Sequence, residues 1–271
     1  MNLWRLSAIQ PVYQHLYVSP HLDDVALSCA GRILRDRARG ERVLVVTVFA
    51  GLPAPDAALT AFARFQHRRW GDEVRPYQRR RREDARAMGR LGVDYLWLDF
   101  PDAIYRDALY TSDETLFGAV ASADAPLARR VAETLAALWA RTPGARVYLP
   151  LAVRRHVDHQ ICWQAAAGLQ QAGACVVFYE DYPYAAEPDL LAARLAEVGR
   201  ALQPEVVEIG PYLAEKTAII ALYRSQIPTL FGTVERLRGH LQAYARAVGA
   251  AMGGLGERYW WPEVSAGRTA G

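Results

Sequence analysis

Cysteine is scarce in this chain. Only three occur in 271 residues, Cys29, Cys162 and Cys175, and their spacing supports neither a disulfide framework nor a cysteine-based zinc site. All three sit as small apolar residues inside helix-like or strand-like patterns, so a reducing compartment is expected. No run reaches the ~18 apolar residues of a membrane span. The N-terminal stretch lacks the unbroken apolar core and small-residue cleavage site of a signal peptide. A soluble, cytoplasmic protein with no membrane partner is therefore expected. Neither charge sign dominates. With 32 Lys+Arg against 29 Asp+Glu the net charge is +3, which gives no argument for a nucleic-acid partner. Disorder is excluded by the 52% of hydrophobic residues, enough to build a core in a chain of this length.

What is present is an alternation. Residues 12–19 read as a strand stopped by Pro20, followed by Val25, Ala26, Leu27, Ala30, Ile33 and Leu34 at helical spacing. Residues 42–49 form a near-continuous β-branched run, as in a parallel strand buried on both faces. A helix over 78–91 stops near Gly92, and a strand over 94–100 follows. Next come a helix over 127–141, a strand over 145–149, a helix over 156–171 and a strand over 174–179. A strand at 205–209 and helices near 212–223 and 233–249 complete the pattern. This repeated β-α-β-α order predicts an α/β fold, Rossmann-like, with a mostly parallel sheet and helices on both faces. No linker or repeat interrupts it, so 1–271 is read as one domain. Two long loops, 50–76 and 101–125, are candidate lids or rims. The Trp260-Trp261 pair is expected to cover an exposed edge or form an interface, which leaves a homo-oligomer open. No glycine-rich phosphate loop follows the first strand, which argues against a dinucleotide-binding dehydrogenase.

In an open α/β sheet, ligands bind beyond the carboxyl ends of the strands. Two clusters lie there. His21, Asp23 and Asp24 follow the first strand and open a helix; His156, Asp158 and His159 follow the strand at 145–149 and open another. An Asp at a helix start is also an ordinary cap, but three of the chain's six histidines fall in these two segments. Two His and one Asp leave positions open on a metal such as zinc, which acidifies water and polarises a carbonyl. Adjacent Asp23 and Asp24 cannot easily point the same way, so one can ligate while the other serves as general base. The remaining His can stabilise an oxyanion. That set suits metal-assisted amide or ester hydrolysis.

Arg79–Arg82 is a run of four arginines on a predicted helix. Most are expected to be solvated, with Arg80 the best placed to reach a phosphate or carboxylate of a substrate. Glu180-Asp181 follows a strand too, so it reads either as part of the site or, by preference, as turn chemistry before Pro183. Tyr105, Tyr182 and Tyr184 are candidates to stack on sugar faces.

His21-Leu22-Asp23-Asp24 resembles the His-Pro-Asp-Asp-Glu signature of the PIG-L/LmbE-like N-acetylglucosamine deacetylases, and His156-Val157-Asp158-His159 their His-Pro-Asp-His signature. Arg80-Arg81-Arg82-Glu83 with Ala87 and Leu91-Gly92 is similar to the family's Arg-x-x-Glu helix. Asp102 resembles an Asp lining its sugar pocket. Lys216 with Tyr223-Arg224-Ser225-Gln226 resembles a C-terminal helix of the family, so the likeness spans roughly 12–260. The resemblance implies one Zn²⁺ held by His21, Asp24 and His159. It further implies Asp23 as general base, His156 assisting the tetrahedral intermediate, Asp158 orienting His156, and Arg80 and Asp102 contacting substrate. The implied substrate is a small-molecule N-acylated amino sugar or glycoconjugate. Leu22 and Val157 replace the family's prolines, and Val25 replaces its Glu, which marks a divergent branch. Two other readings use the same residues: a non-haem Fe(II) oxygenase, with the 2-His-1-carboxylate set, and a non-catalytic sugar-binding module. Asp23 beside a full ligand set argues against the latter, since binding alone needs no base.

Overall fold

The computed structural model describes residues 2–3, 9–53, 58–71, 75–199 and 201–263. The chain runs β1 (His15–Ser19), α1 (Asp24–Ala38), β2 (Val43–Thr47), α2 (Ala61–Arg69), α3 (Pro76–Leu91) and β3 (Asp94–Trp97). It continues with α4 (Asp113–Leu116), α5 (Ala125–Ala140), β4 (Arg146–Pro150), α6 (Val157–Gln171) and β5 (Val176–Tyr179). The last part holds α7 (Pro188–Val198), β6 (Leu202–Glu208), α8 (Leu213–Ile220), α9 (Ile227–Leu230), α10 (Val234–Gly249) and β7 (Gly256–Pro262).

One sheet has the order β3-β2-β1-β4-β5-β7-β6. Its first five strands pair in parallel, while β7 is antiparallel to both β5 and β6. Alternate residues of each buried strand feed opposite layers. Leu16 and Val18 join α5, α6 and α7 residues such as Leu135, Ile161 and Leu191. Tyr17 joins α1, α3, α8 and α10 residues such as Ile33, Met88, Ile219 and Ala245. Pro76 supplies a pre-set first turn for α3, and Gly92, at φ 69°, ends it in the left-handed region where a β-carbon is disfavoured.

The α/β alternation is as expected, with differences. The short helices α4, inside the segment read as a loop over 101–125, and α9 are additions. The segment read as a loop over 50–76 carries α2, capped by Thr60, whose Oγ1 accepts from the N–H of Ala63 at 3.0 Å. Helix α7 lies between β5 and β6. Trp260 and Trp261 cover no edge: they belong to β7, inside the sheet, and donate to Glu180 (2.9 Å) and Glu205 (2.9 Å). No helix among the described residues is long and apolar enough to cross a membrane.

The chain builds β2 and β3 on one side of β1, then returns to place β4 on the other. The crevice beyond the carboxyl ends of β1 and β4 is therefore the switch point of the sheet, where doubly wound folds bind ligands.

Candidate metal centre and active site

His21, Asp23 and Asp24 occupy the turn from β1 into α1. Asp23 stands at the N-cap position but makes no side-chain cap. Ser19 does that work: its Oγ accepts from the N–H of Val25 at 3.1 Å and donates to the carbonyl of His21 at 2.5 Å. The Asp23 carboxylate is thereby released toward the cavity, where Arg80 Nη2 donates to its Oδ1 at 3.0 Å. Asp24 turns the other way. Its Oδ2 accepts from the backbone N–H of His21 at 2.7 Å and lies 3.3 Å from both His21 Nδ1 and His159 Nε2.

Those two equal spacings test whether the donors suit a metal ion. Nitrogen and oxygen ligands about 2.0–2.2 Å from a tetrahedral ion stand about 3.3–3.5 Å apart. Each histidine also has its other nitrogen committed to a carboxylate. His21 Nε2 faces Asp158 Oδ2 at 2.9 Å, and His159 Nδ1 faces Asp181 Oδ1 at 2.6 Å. This leaves Nδ1 of His21 and Nε2 of His159 as lone-pair donors, the tautomers that carboxylate-backed metal histidines adopt. The cluster can thus hold a divalent metal.

The protonation of the ion-free cluster fits the same picture. Burial opposes charge on His159, yet Asp24 and Asp181 carry its pKa up to about 9. His21 is likewise raised despite burial, through Asp158 and Asp24. Asp24, also against burial, is held well below the usual carboxylate range by His159 and His21. A cation entering the site replaces protons that the carboxylates already attract.

His156 behaves differently. Burial, then the neighbouring His21, pushes its pKa well down, so it is neutral. It caps α6, its Nδ1 accepting from the N–H of Asp158 at 3.2 Å. The proton of the neutral ring therefore sits on Nε2, making this histidine a hydrogen-bond donor. Its ring lies 4.8 Å from that of His21 and 5.3 Å from that of His159, centroid to centroid.

Asp158 hydrogen-bonds His156 through that backbone N–H, and its carboxylate lies within 4.8 Å of a His156 ring nitrogen. Its carboxylate goes to His21 and to the N–H of Ala103 (3.1 Å), and the Arg106 guanidinium stands 2.6 Å from its Oδ1. Arg106 is buried and carried no signal in the sequence beyond being one arginine among many. Asp181 is the other residue that sequence reasoning missed. It holds His159 and accepts from the N–H of Val153 at 3.0 Å. Its neighbour Glu180 is structural, bonded to Tyr244, Arg258 and Trp260.

The cavity over this cluster measures about 430 Å³, within the range of small-molecule sites. Arg80 and Asp102 both line it. Arg80 is buried, stacked over Trp70 (4.7 Å) and Tyr77 (5.3 Å). The other three arginines of its run serve the fold or solvent: Arg79 ties to Glu83 and Gly71, Arg81 to Ala50 and Asp99, and Arg82 is exposed. Asp102 accepts from Tyr77 and from the N–H of Ile104 (3.1 Å), with its Oδ2 3.7 Å from His21 Nε2. Tyr182 and Tyr184 line the cavity, whereas Tyr105 is bonded to His67 and does not line it.

Comparison with known proteins agrees with this geometry. Residues 16–170 match the family model described as PIG-L: GlcNAc-PI de-N-acetylase. The 2'-N-acetylparomamine deacetylase of Niallia circulans is 30% identical over 80% of this chain and 82% of its own length. That of Streptomyces fradiae is 33% identical over 93% of this chain and 91% of its own. The zinc-inhibited form of teicoplanin deacetylase superposes with a TM-score of 0.78 at 26% identity, covering 93% of this chain and 99% of its own. With both histidine motifs inside the matched span, the chain belongs to the PIG-L family of de-N-acetylases.

Proposed function

We propose that the protein is a divalent-metal-dependent hydrolase that removes an N-acyl group, acetyl in the first instance, from an amino sugar or amino-sugar conjugate. The observation that carries this reading is the placement of Asp24 Oδ2 at 3.3 Å from one nitrogen of each of two carboxylate-backed histidines. His21, Asp24 and His159 would hold the ion, with Zn²⁺ the first choice on donor chemistry. When bound, such an ion acidifies water and polarises an acyl carbonyl.

The chain's own residues do the rest. Asp23 is freed from capping and steadied by Arg80, and burial raises its pKa, partly offset by Arg80. A carboxylate so placed takes the proton of the attacking water and returns it to the leaving amine. Neutral His156 donates from Nε2 to the oxyanion as it develops. Asp158 and Asp181 fix the ring orientations of His21 and His159, and Arg80 and Asp102 border the space for the sugar. The oxygenase reading uses the same three ligands but leaves Asp23 without a task.

A panel of N-acetylated amino sugars, free and conjugated, assayed for acetate release by metal-loaded protein tests the proposal. Release from at least one member, stoichiometric with new amine, is expected. Oxygen-dependent turnover without acetate would favour the oxygenase instead. The zinc-inhibited form of a structural relative makes metal stoichiometry a variable to titrate in this assay.

A further inference from the structure

The cavity does not end at the metal cluster. Arg154 and Leu190 line both it and an adjoining cleft of about 340 Å³, whose other walls are Arg155, Ala193, Arg194 and Glu197. Three arginines thus face one glutamate. Glu197 pairs with Arg155 and with Arg194, whose Nη1 donates to it at 3.0 Å. Arg194 is 6% exposed, and its Nη2 is buried with no hydrogen-bond partner among the described residues.

Arg154 has no carboxylate within ion-pair distance among the described residues. It is held by rings instead, its guanidinium carbon 4.3 Å from the centroid of Phe117 and 5.3 Å from that of Tyr184. Phe117 in turn meets His156 edge-on at 5.4 Å. One aromatic ring therefore separates this cation from the reaction centre.

The backbone that presents it is strained. Ala152, Arg154 and Arg155 have φ of 62°, 65° and 61°, and none is glycine. Side chains in the left-handed region cost conformational energy, and such positions cluster where a site requires them. Glycine would relieve Arg154, yet the chain places there an exposed, permanent cation with five donors and no carboxylate partner among the described residues.

We propose that this cleft is a subsite for an anionic substituent, carboxylate or phosphate, on the part of the substrate remote from its N-acyl group. Arg154 is its contact, while Arg194, bonded through Nη1 to Glu197 (3.0 Å) and through Nε to the carbonyl of Leu151 (2.7 Å), holds the cleft wall. The proposal rests on the deacylation reading only for where the acyl group lies. A guanidinium fork matches both anions through paired N–H donors, whereas an ammonium-bearing substituent would be repelled.

The test is calorimetric binding of glucosamine, glucosamine 6-phosphate and 2-amino-2-deoxyglucuronic acid to the metal-free protein. Wild type, Arg154→Gln and Arg154→Lys are compared, with circular dichroism to verify folding. Wild type should bind at least one anionic sugar about tenfold tighter than glucosamine, and the stronger of the two identifies the group. That preference should collapse in Arg154→Gln, survive in part in Arg154→Lys, and weaken with added salt. Equal affinity for glucosamine and the anionic sugars in wild type, or a preference unchanged in Arg154→Gln, would overturn the subsite. Acetate release from the N-acetylated counterparts by metal-loaded wild type is measured alongside. An anion preference without release from these sugars or from any member of the panel above supports the subsite and sinks the deacylation; release without a preference does the reverse.

Discussion

Asp23 and Asp24 are adjacent in sequence and face different tasks, because Ser19 rather than Asp23 caps α1. If Asp23 is the base, Asp23→Asn keeps shape and metal while kcat falls about 10²–10⁴-fold, the worth of positioned general-base catalysis. Steady-state kinetics with metal analysis on the same sample checks this; metal loss with Asp24→Asn unaffected would exchange the two roles. Asp181 acts at one remove, through His159 Nδ1. Asp181→Asn is expected to weaken metal affinity about 10–100-fold, read by competition with a chromophoric chelator. The histidines and the Asp pair were legible because short covalent spacing put them together at strand ends. Asp181 and Arg106 were not, since each gains its meaning from a partner 22 or 52 positions away, and an acidic pair shortly before a proline reads as a turn.

β7 and α2, both carrying buried polar groups, were lost to pattern reading. β7 alternates Glu257, Tyr259 and Trp261 with Arg258, Trp260 and Pro262, so no apolar face stands out. Yet Glu257 is buried and accepts from the N–H groups of Gly31 (2.8 Å) and Arg32 (2.9 Å), from Lys216 Nζ (2.7 Å) and from the Tyr259 hydroxyl (2.9 Å). It binds β7 to α1 and α8. Gly31 permits this approach, since a β-carbon there would lie 2.6 Å from Glu257 Oε1. Lys216, 1% exposed, would be left a buried unpaired charge by Glu257→Ala. A loss of about 3–5 kcal/mol is expected, measured by urea denaturation at pH 7; a loss under about 1 kcal/mol would mean that the pair is not what anchors β7. α2 escaped for a related reason, since of its three buried residues, Ala63, Gln66 and His67, only alanine is apolar.

At the scale of the whole molecule, the parallel sheet carries the site to its switch point between β1 and β4. That much follows from alternation and strand order. The cavity walls do not, because Trp70, Phe117, Tyr184 and Gln226 reach it from four separate segments whose packing leaves no periodic trace. The account's central claim is that one metal ion on His21, Asp24 and His159 supports deacylation. Its most direct test strips the purified protein with a chelator, then titrates back Zn²⁺ while following bound metal and acetate release, for wild type and His159→Ala. Wild type should bind one ion per chain, with activity absent when stripped and rising in proportion to one equivalent, and His159→Ala should lose both. Full turnover by stripped protein, or His159→Ala binding one ion with unchanged affinity, would contradict it.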